Sequence, residues 1–470
     1  MRDKVVGREN VLWMNCERQG RAKMLRGGSV RVLRRMCALM SLSFICAFIL
    51  FAAIPVSAHS TIHKAESNHQ FTLEIYGNAN EDDTIDMRDV TYIKLVIFGK
   101  KPETEFCDAN YDGKVSMLDV VQTKLIILGK EAKLTFIDSR EGYPRKIVTV
   151  EKPVKRIIPL ADNQADGIKV LGAVDKVVGV GTEIKNKPIL YPIMSKLPDV
   201  GNVWGAGPDI EAIISLNPDI LLTYEFRPSP EELDDKLEGT DIKVVRYTFN
   251  VPKELPRVFK TLGYVLDKRE EAEEFIDFFE NHMNLIKERL EGLSEDEKPK
   301  VYIEWCRPYL AFNKLSGAGQ LCDIAGGINI AADLTGVGSP HSLVVDPEWV
   351  VEQNPDIIIK VVGSENSGYD VDDVEGIKTV RDEIMTRPGW ESINAVKNGK
   401  VYLITIELLD GPQAVVAAQY FAKWLHPELF EDLDPAAFHQ EYLNRYMGIN
   451  YDVKERGIFI YHPELYPDGR

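Results

Sequence analysis

Apolar and polar positions follow two rhythms along this chain. Between 267 and 292, in DKREEAEEFIDFFENHMNLIKERLEG, Ala272, Phe275, Ile276, Phe279, Met283, Ile286 and Leu290 recur at three- and four-residue steps, so one face of a helix is apolar. Asp267 and Glu270 have the spacing of a capping box, and Gly292 supplies a C-terminal stop. About 24 residues at 1.5 Å each span roughly 36 Å. The pattern predicts a rigid strut between two lobes.

A repeat on either side supports that reading. PDIEAIISLNPDILL at 208–222 and VDPEWVVEQNPDIII at 345–359 align at an offset of 137, matching Asp209 with Asp346, Glu211 with Glu348, Asn217 with Asn354, Pro218 with Pro355, and Asp219 with Asp356. Each reads as a short helix, an Asn-Pro-Asp turn and a buried strand. Further apolar runs predict a hairpin over 134–150, strands at 154–160, 177–180, 242–247, 300–305 and 401–405, and helices at 168–171, 258–266, 320–325 and 413–425. Strands alternating with helices imply parallel sheets covered on both faces. The predicted fold class is α/β: two similar lobes with mostly parallel sheets, joined by one long helix and preceded by a small α-helical, EF-hand-like module.

That module rests on a second repeat, at offset 30. NANEDDTIDMRD at 78–89 aligns with DANYDGKVSMLD at 108–119, and each is followed by an apolar helical run ending in Gly-Lys. Oxygen-bearing side chains fall at loop positions 1, 3, 5 and 12: Asn78, Asn80, Asp82 and Asp89, then Asp108, Asn110, Asp112 and Asp119. This is the spacing with which an EF-hand-type loop wraps Ca²⁺, a hard cation that takes six or more oxygens. Position 6, the sharp turn, is Gly113 in the second loop but Asp83 in the first.

Composition sharpens the outer bounds. The first 35 residues of the 470 carry ten Lys/Arg and three Asp/Glu, and an apolar run from 36 to 56 leads to Val56-Ser57-Ala58. This predicts a secretory leader over 1–58, with an uncleaved membrane anchor as the rival, and a linker over 59–70. No lipobox precedes Cys37 or Cys46. The leader's +7 leaves the remainder at −24 out of a total of −17, a poor match for nucleic acid phosphates. Beyond the leader stand Cys107, Cys306 and Cys322. An oxidising exterior would allow a Cys306–Cys322 disulfide, and free buried thiols are the alternative.

Two loop–helix units about 30 residues apart, each with Asp at position 12 and no preceding helix, resemble a dockerin over 71–132. The resemblance implies two Ca²⁺ ions, each held by four side chains of one loop. It adds the carbonyls of Thr84 and Lys114 at position 7, with Asp86 and Ser116 at position 9 acting directly or through water. It also implies a cohesin partner met by the helix face that starts at Met87-Arg88 and Met117-Leu118, in either of two orientations.

From 134 onward the chain resembles the class III substrate-binding proteins of ABC importers, which capture ferric siderophores, haem and cobalamin. Lys155-Arg-Ile-Ile-Pro, the LGAVDKVVG segment at 171–179, the paired Asn-Pro-Asp units, AGGINIA at 325–331 and VKNGKVY at 396–402 carry that resemblance. It implies an N-terminal lobe over 134–266, a connecting helix over 267–292 and a C-terminal lobe over 298–470. It also implies a monomer without enzymatic activity at the extracytoplasmic surface, with permease subunits and a small-molecule metal chelate as partners. Ligands of open α/β sheets lie beyond the strands' carboxyl ends. There Trp204, Tyr224, Trp305 and Tyr309 would form flat walls, Arg227 and Arg307 would face anionic oxygens, and His341 would offer an axial metal ligand. In the family resembled, glutamates placed as Glu211 and Glu348 meet permease arginines. Two rival functions stay open: a structural or adhesive surface component, and a metal-chelatase-like enzyme. No Ser/His/Asp set, zinc signature or phosphate loop speaks for the enzyme.

Overall fold

The computed structural model describes residues 71–470 except 141, 337 and 338. The leader and linker expected over 1–70 lie outside the described residues. Helices α1 (Met87–Ile97) and α2 (Met117–Leu128) follow the two loops. The same device starts both. Asp89 accepts from the Asn80 and Asp86 backbone N–H groups at 3.0 and 2.8 Å, and Asp119 from Asn110 and Ser116 at 3.1 and 2.7 Å. One buried carboxylate thus closes the loop and caps the helix, answering donors that a helix start leaves unpaired. Ala79, Val90, Ile93, Cys107 and Val120 form a small core between the copies.

Packing does not break at the module's end. Strands β1 (Lys133–Ile137) and β2 (Ile147–Glu151) pair as the expected antiparallel hairpin, and Ile75 bridges to Phe136. Leu73, Ile75, Ile85 and Ile126 are buried in the same apolar cluster as Leu134, Phe136, Phe259 and Phe275. The module therefore shares its core with the lobe that follows.

In that lobe β3 (Ile157–Pro159), β4 (Ile220–Thr223) and β5 (Lys243–Arg246) are parallel neighbours in that order. Helices α3 (Asp162–Val170), α4 (Thr182–Lys185) and α5 (Ile210–Leu216) all lie between β3 and β4. The Asn-Pro-Asp turn now has a physical account. Asn217 caps α5 in the left-handed region, at φ 43°, which Asn tolerates better than most residues. Two residues later Asp219 accepts from the N–H groups of Lys155 and Arg156 at 2.7 and 2.9 Å, which sets β4 beside the start of β3.

Helix α6 (Leu255–Leu266) precedes α7 (Arg269–Arg289), whose 21 residues form the expected strut, about 32 Å long. The expected Asp267 capping box is not made. Asp267 instead ends α6 in the left-handed conformation at φ 60°, and its carboxylate pairs with Lys152 at 2.7 Å. Lys152 also donates to the carbonyls of Tyr264 and Val265 at the end of α6. The α6 terminus therefore takes the aspartate that the sequence pattern gave to α7.

The C-terminal lobe holds β6 (Lys300–Glu304), β7 (Leu310–Phe312), β8 (Ile328–Asn329), β9 (Ser342–Val344), β10 (Ile357–Val362), β11 (Val401–Thr405) and β12 (Ile460–Tyr461). Their order is β12-β11-β10-β6-β7-β9, with β8 also on β6. The β10–β11, β10–β6 and β6–β8 pairs are parallel, whereas β6–β7, β7–β9 and β11–β12 are antiparallel. This sheet is mixed rather than mostly parallel. Helix α8 (Gly317–Ile324) carries Cys322, which is buried, unpaired and faces Gly327; Cys306 is also a free thiol. The second repeat unit, α9 (Pro347–Gln353) then β10, reproduces the first: Asn354 is left-handed at φ 48°, and Asp356 accepts from Lys300 N–H at 3.1 Å at the start of β6.

Candidate functional site

The two lobes meet at the carboxyl ends of β3, β4 and β11. Helix α3 starts directly after β3 and presents Asp162, Asn163 and Asp166. The Lys187 ammonium lies 2.6 Å from Asp162 and 2.9 Å from Glu407 of the other lobe. Asp166 accepts from Tyr191 Oη at 2.8 Å and from Gln413 Nε2, again across the lobes, at 3.0 Å. Tyr369 donates its N–H to Glu407 at 3.0 Å. Two polar links thus tie the lobes at the floor of the cleft.

Charge there is unbalanced. Burial would raise the Asp162 carboxyl, but Lys187 beside it holds it below the usual range. Burial, with a smaller contribution from Asp162, pushes Asp166, Glu183 and Asp410 each up to about 7. These three therefore bind protons in the folded chain at pH values where the unfolded chain has released them. Their contribution to stability falls as pH rises from about 4 to 7, and is regained on acidification. We expect the ligand-free protein to melt a few degrees higher at pH 5.5 than at pH 7.5. A higher midpoint at pH 7.5 in scanning calorimetry would refute this.

Beside the carboxylates stands an aromatic group. The Trp204 ring lies 6.0 Å from Tyr224 and 6.1 Å from Phe226, Tyr224 lies 5.9 Å from Phe226, and Phe226 lies 6.2 Å from His341 of the second lobe. The Arg227 guanidinium sits 5.2 Å over Trp204. Trp204 is 38% exposed while Tyr224 is buried. Of the residues picked out in the sequence, Trp204, Tyr224, Arg227 and His341 come together. Trp305 instead stacks on Phe312, its centroid 5.3 Å away, and Arg307 is exposed on the following turn. Tyr309, partly buried, packs edge-on against Trp390 with Arg387 over its ring, against the C-terminal lobe's own core. Phe226, Glu183 and Lys187 were not singled out: Lys187 and Glu407 are 220 positions apart in sequence, and no local pattern marks them as partners. Glu211 and Glu348 are exposed in the first turns of α5 and α9.

The loops before α1 and α2 are the second candidate site. Asn78 is fully buried; its Nδ2 donates to the carbonyls of Leu73 and Asp82, while its Oδ1 is buried without a partner. Asp82 accepts from Thr84 N–H at 2.9 Å and from Asn80 Nδ2 at 2.7 Å. In the second loop Asp108 accepts from the N–H groups of Asp112 and Gly113 at 3.0 and 2.7 Å, and Asp112 accepts from Lys114 N–H at 3.1 Å. Asp86 and Ser116 cap the two helices. Burial pushes Asp89 up to about 6 and raises Asp119, with the other loop carboxylates adding to both shifts. A cation among these oxygens would relieve that repulsion, and an orphaned buried carbonyl oxygen fits an oxygen-seeking ion. Among the described residues no three His, Cys, Asp or Glu side chains are gathered tightly enough to hold a metal by themselves. The loops offer Asn and Asp oxygens together.

Residues 157–408 match the family model described as periplasmic binding protein. An uncharacterised ABC transporter substrate-binding lipoprotein of Bacillus subtilis (strain 168) is 26% identical over 292 residues, covering 61% of this chain and 84% of that protein. The molybdate-binding protein of Haemophilus influenzae is 22% identical over 335 residues, covering 65% and 89%. Among solved structures, a TroA-like periplasmic binding protein from Veillonella parvula superposes with a TM-score of 0.56 at 23% identity, over 67% of this chain and 97% of that one. That likeness extends to the fold.

Proposed function

This chain belongs to the periplasmic binding protein family, and on that premise we propose that it captures a metal-chelate ligand of the ferric siderophore, haem or cobalamin kind between its lobes and delivers it to an ABC importer at the extracytoplasmic surface. The family is one of binding proteins rather than enzymes. The observation that carries the reading is the aromatic group of Trp204, Tyr224 and Phe226 beside His341, which sets flat apolar faces from one lobe against an imidazole from the other. Trp204→Ala should weaken binding of a flat chelate by about ten-fold or more, since aromatic contacts in a cleft contribute on the order of 1–2 kcal/mol. The exposed position of Trp204 should leave the melting temperature unchanged. Titration of wild type and variant with haem, dicyanocobinamide and ferric citrate decides it: equal affinities for every ligand that binds would remove Trp204 from the site.

Glu211 and Glu348 are the proposed docking charges for the two permease subunits. Each starts the helix of one repeat unit and is exposed. A glutamate in a first turn also favours the helix dipole by about 0.3–1 kcal/mol, so each single change costs little stability. The double change Glu211→Gln, Glu348→Gln should leave folding and ligand affinity intact, yet abolish transport in vesicles reconstituted with the permease. Unimpaired transport would leave both residues as helix-start glutamates.

For residues 71–132 the proposed role is a calcium-dependent, dockerin-like attachment to a cohesin. Asn78, Asn80, Asp82 and Asp89 would hold one ion and Asp108, Asn110, Asp112 and Asp119 the other, with the carbonyls of Thr84 and Lys114. The buried, unpartnered Oδ1 of Asn78 supports the first site. The exposed apolar side chains Met117, Leu118, Val121 and Leu128 on α2 support a partner surface there.

A further inference from the structure

We propose that Tyr369 is a positioning residue that fixes the angle between the two lobes, because both residues with which the C-terminal lobe holds the other depend on it. Tyr369 is fully buried, and its carbonyl accepts from Tyr451 Oη at 2.9 Å. Its N–H donates to Glu407 Oε2 at 3.0 Å, and the other oxygen of Glu407 meets Lys187 of the N-terminal lobe at 2.9 Å. Its hydroxyl donates to Gln413 Oε1, and Gln413 Nε2 donates to Asp166 of α3 at 3.0 Å. One residue thus stands behind both interlobe links.

The link through Gln413 has a defined direction. An ionised carboxylate only accepts, so Gln413 turns its Nε2 to Asp166 and its Oε1 to Tyr369. The single hydroxyl proton of Tyr369 is then committed, and His439 Nε2, 2.7 Å away, supplies the hydrogen of that contact. Tyr191 Oη closes the far end, donating to Asp166 at 2.8 Å. All five side chains are buried, where such bonds reinforce one another. Two glycines make room for the links. Gly368 has φ 107°, and a Cβ there would lie 2.3 Å from Glu407 Oε2, so a side chain would push that carboxylate off the Tyr369 N–H. A Cβ on Gly411 would lie 3.1 Å from Asn163 Cβ, so its absence lets the turn that carries Gln413 sit against α3.

Apolar packing does not set the angle by itself. Helix α3 rests on the 411–413 turn and on 443–447 of the C-terminal lobe, with Ala165, Ile168, Leu443 and Met447 in one apolar cluster. Such contact is non-directional, and packed elements slide over one another by small shear. Hydrogen bonds fix distance and angle together. Asp162 lies one turn before Asp166 on α3, so the tilt held at Asp166 sets where the cleft end of that helix stands.

The interlobe distance tests this on the full chain without a ligand, at a pH above 8, where Asp166 is ionised, since burial pushes its carboxyl up to about 7. Nitroxides are attached through ketone side chains introduced in place of Lys236 and Lys397, both exposed, one in each lobe. Pulsed electron resonance should give one narrow distance in the otherwise unaltered protein. Tyr369→Phe lacks only the hydroxyl and should widen the distribution about 1.5-fold, by populating other lobe angles. Adding Gly368→Ala, which also displaces Glu407, should widen it to at least about two-fold. Ile303→Val is a fully buried change in the same lobe that makes none of these bonds; it should lower the melting temperature and keep the width. A wild-type width in Tyr369→Phe, or equal widening by Ile303→Val, would overturn the proposal, and Tyr369→Phe decides alone if the double variant does not fold. Neither outcome bears on what the cleft binds.

Discussion

Glu304→Ala is expected to destabilise this protein by about 3–5 kcal/mol, the typical result of removing one partner from a buried ion pair. Glu304 is fully buried at the end of β6. Its two oxygens accept from Lys360 at 2.9 Å, from Arg387 at 2.7 and 2.8 Å, from Tyr309 N–H at 2.8 Å and from Tyr302 Oη at 3.2 Å. Without the carboxylate, two cations lose their shared counter-charge and keep only the Trp305 carbonyl, for Lys360, and the Tyr309 and Trp390 rings, for Arg387. Glu304→Gln keeps the shape and should cost less than Ala. The charge sets the pH dependence as well. Burial alone would raise the Glu304 carboxyl, but Arg387 and Lys360 hold it below the usual range. Its contribution is therefore present above the ordinary glutamate pKa and is lost only as pH falls through the lowered one. Urea unfolding should show the midpoint drop with an unchanged slope. A loss under 1 kcal/mol for Glu304→Ala would show that the cations find other partners.

Removing calcium is expected to lower the stability of the whole described body, not of the loops alone. Each ion bound at a hundred-fold excess over its dissociation constant adds about 2.7 kcal/mol, so two sites would add about 5. The effect should spread because the first loop is tied to the lobe. Buried Lys260 on α6 reaches Thr84 Oγ1 at 3.2 Å, Asp83 at 3.8 Å and Glu273 of α7 at 2.9 Å, while the Ile85 N–H donates to Tyr264 Oη at 3.3 Å. Asp83, which occupies the usual glycine position of the loop, is thus a contact to the lobe. Asp119→Ala should cost more than Asp83→Gly: it strips two backbone N–H groups of their acceptor, whereas Lys260 keeps Glu273. Calorimetry with calcium and with excess chelator tests both statements. Identical melting curves would refute calcium binding. A second low-temperature transition, with the main one unmoved, would refute the coupling.

The features that were readable in the sequence are those set by neighbours within one helical turn or one hairpin. The apolar steps of α7 needed only the 3.6-residue period. The two Asn-Pro-Asp units were found as a repeat because a left-handed Asn is a local solution to ending a helix, although the Asp that follows is held by backbone N–H groups of a strand far away in sequence. The loop oxygens before α1 and α2 were legible for the same reason, as were the loops that carry Trp204, Tyr224, Arg227 and His341. Local chemistry also misled. Asp267 has capping-box spacing, but Lys152, more than a hundred positions away, draws it to the end of α6. Tyr309 stands near a strand end, yet the Trp390 and Arg387 side chains hold it against a core.

By itself the sequence determined the α/β class, the repeated units, the strut and the two loop–helix units before the lobe, because each depends on torsional preferences and periodicity along the chain. The tertiary structure alone decided the mixed sheet of the second lobe, whose antiparallel strands β7, β9 and β12 are two or three residues long and too short to carry a pattern. It alone brought Lys187 between Asp162 and Glu407, set Asn163 against Gly411, and joined the loop module to the lobe through Lys260. Such contacts form between residues far apart in sequence, where burial and charge balance across packed surfaces determine the partner and no local spacing records the choice.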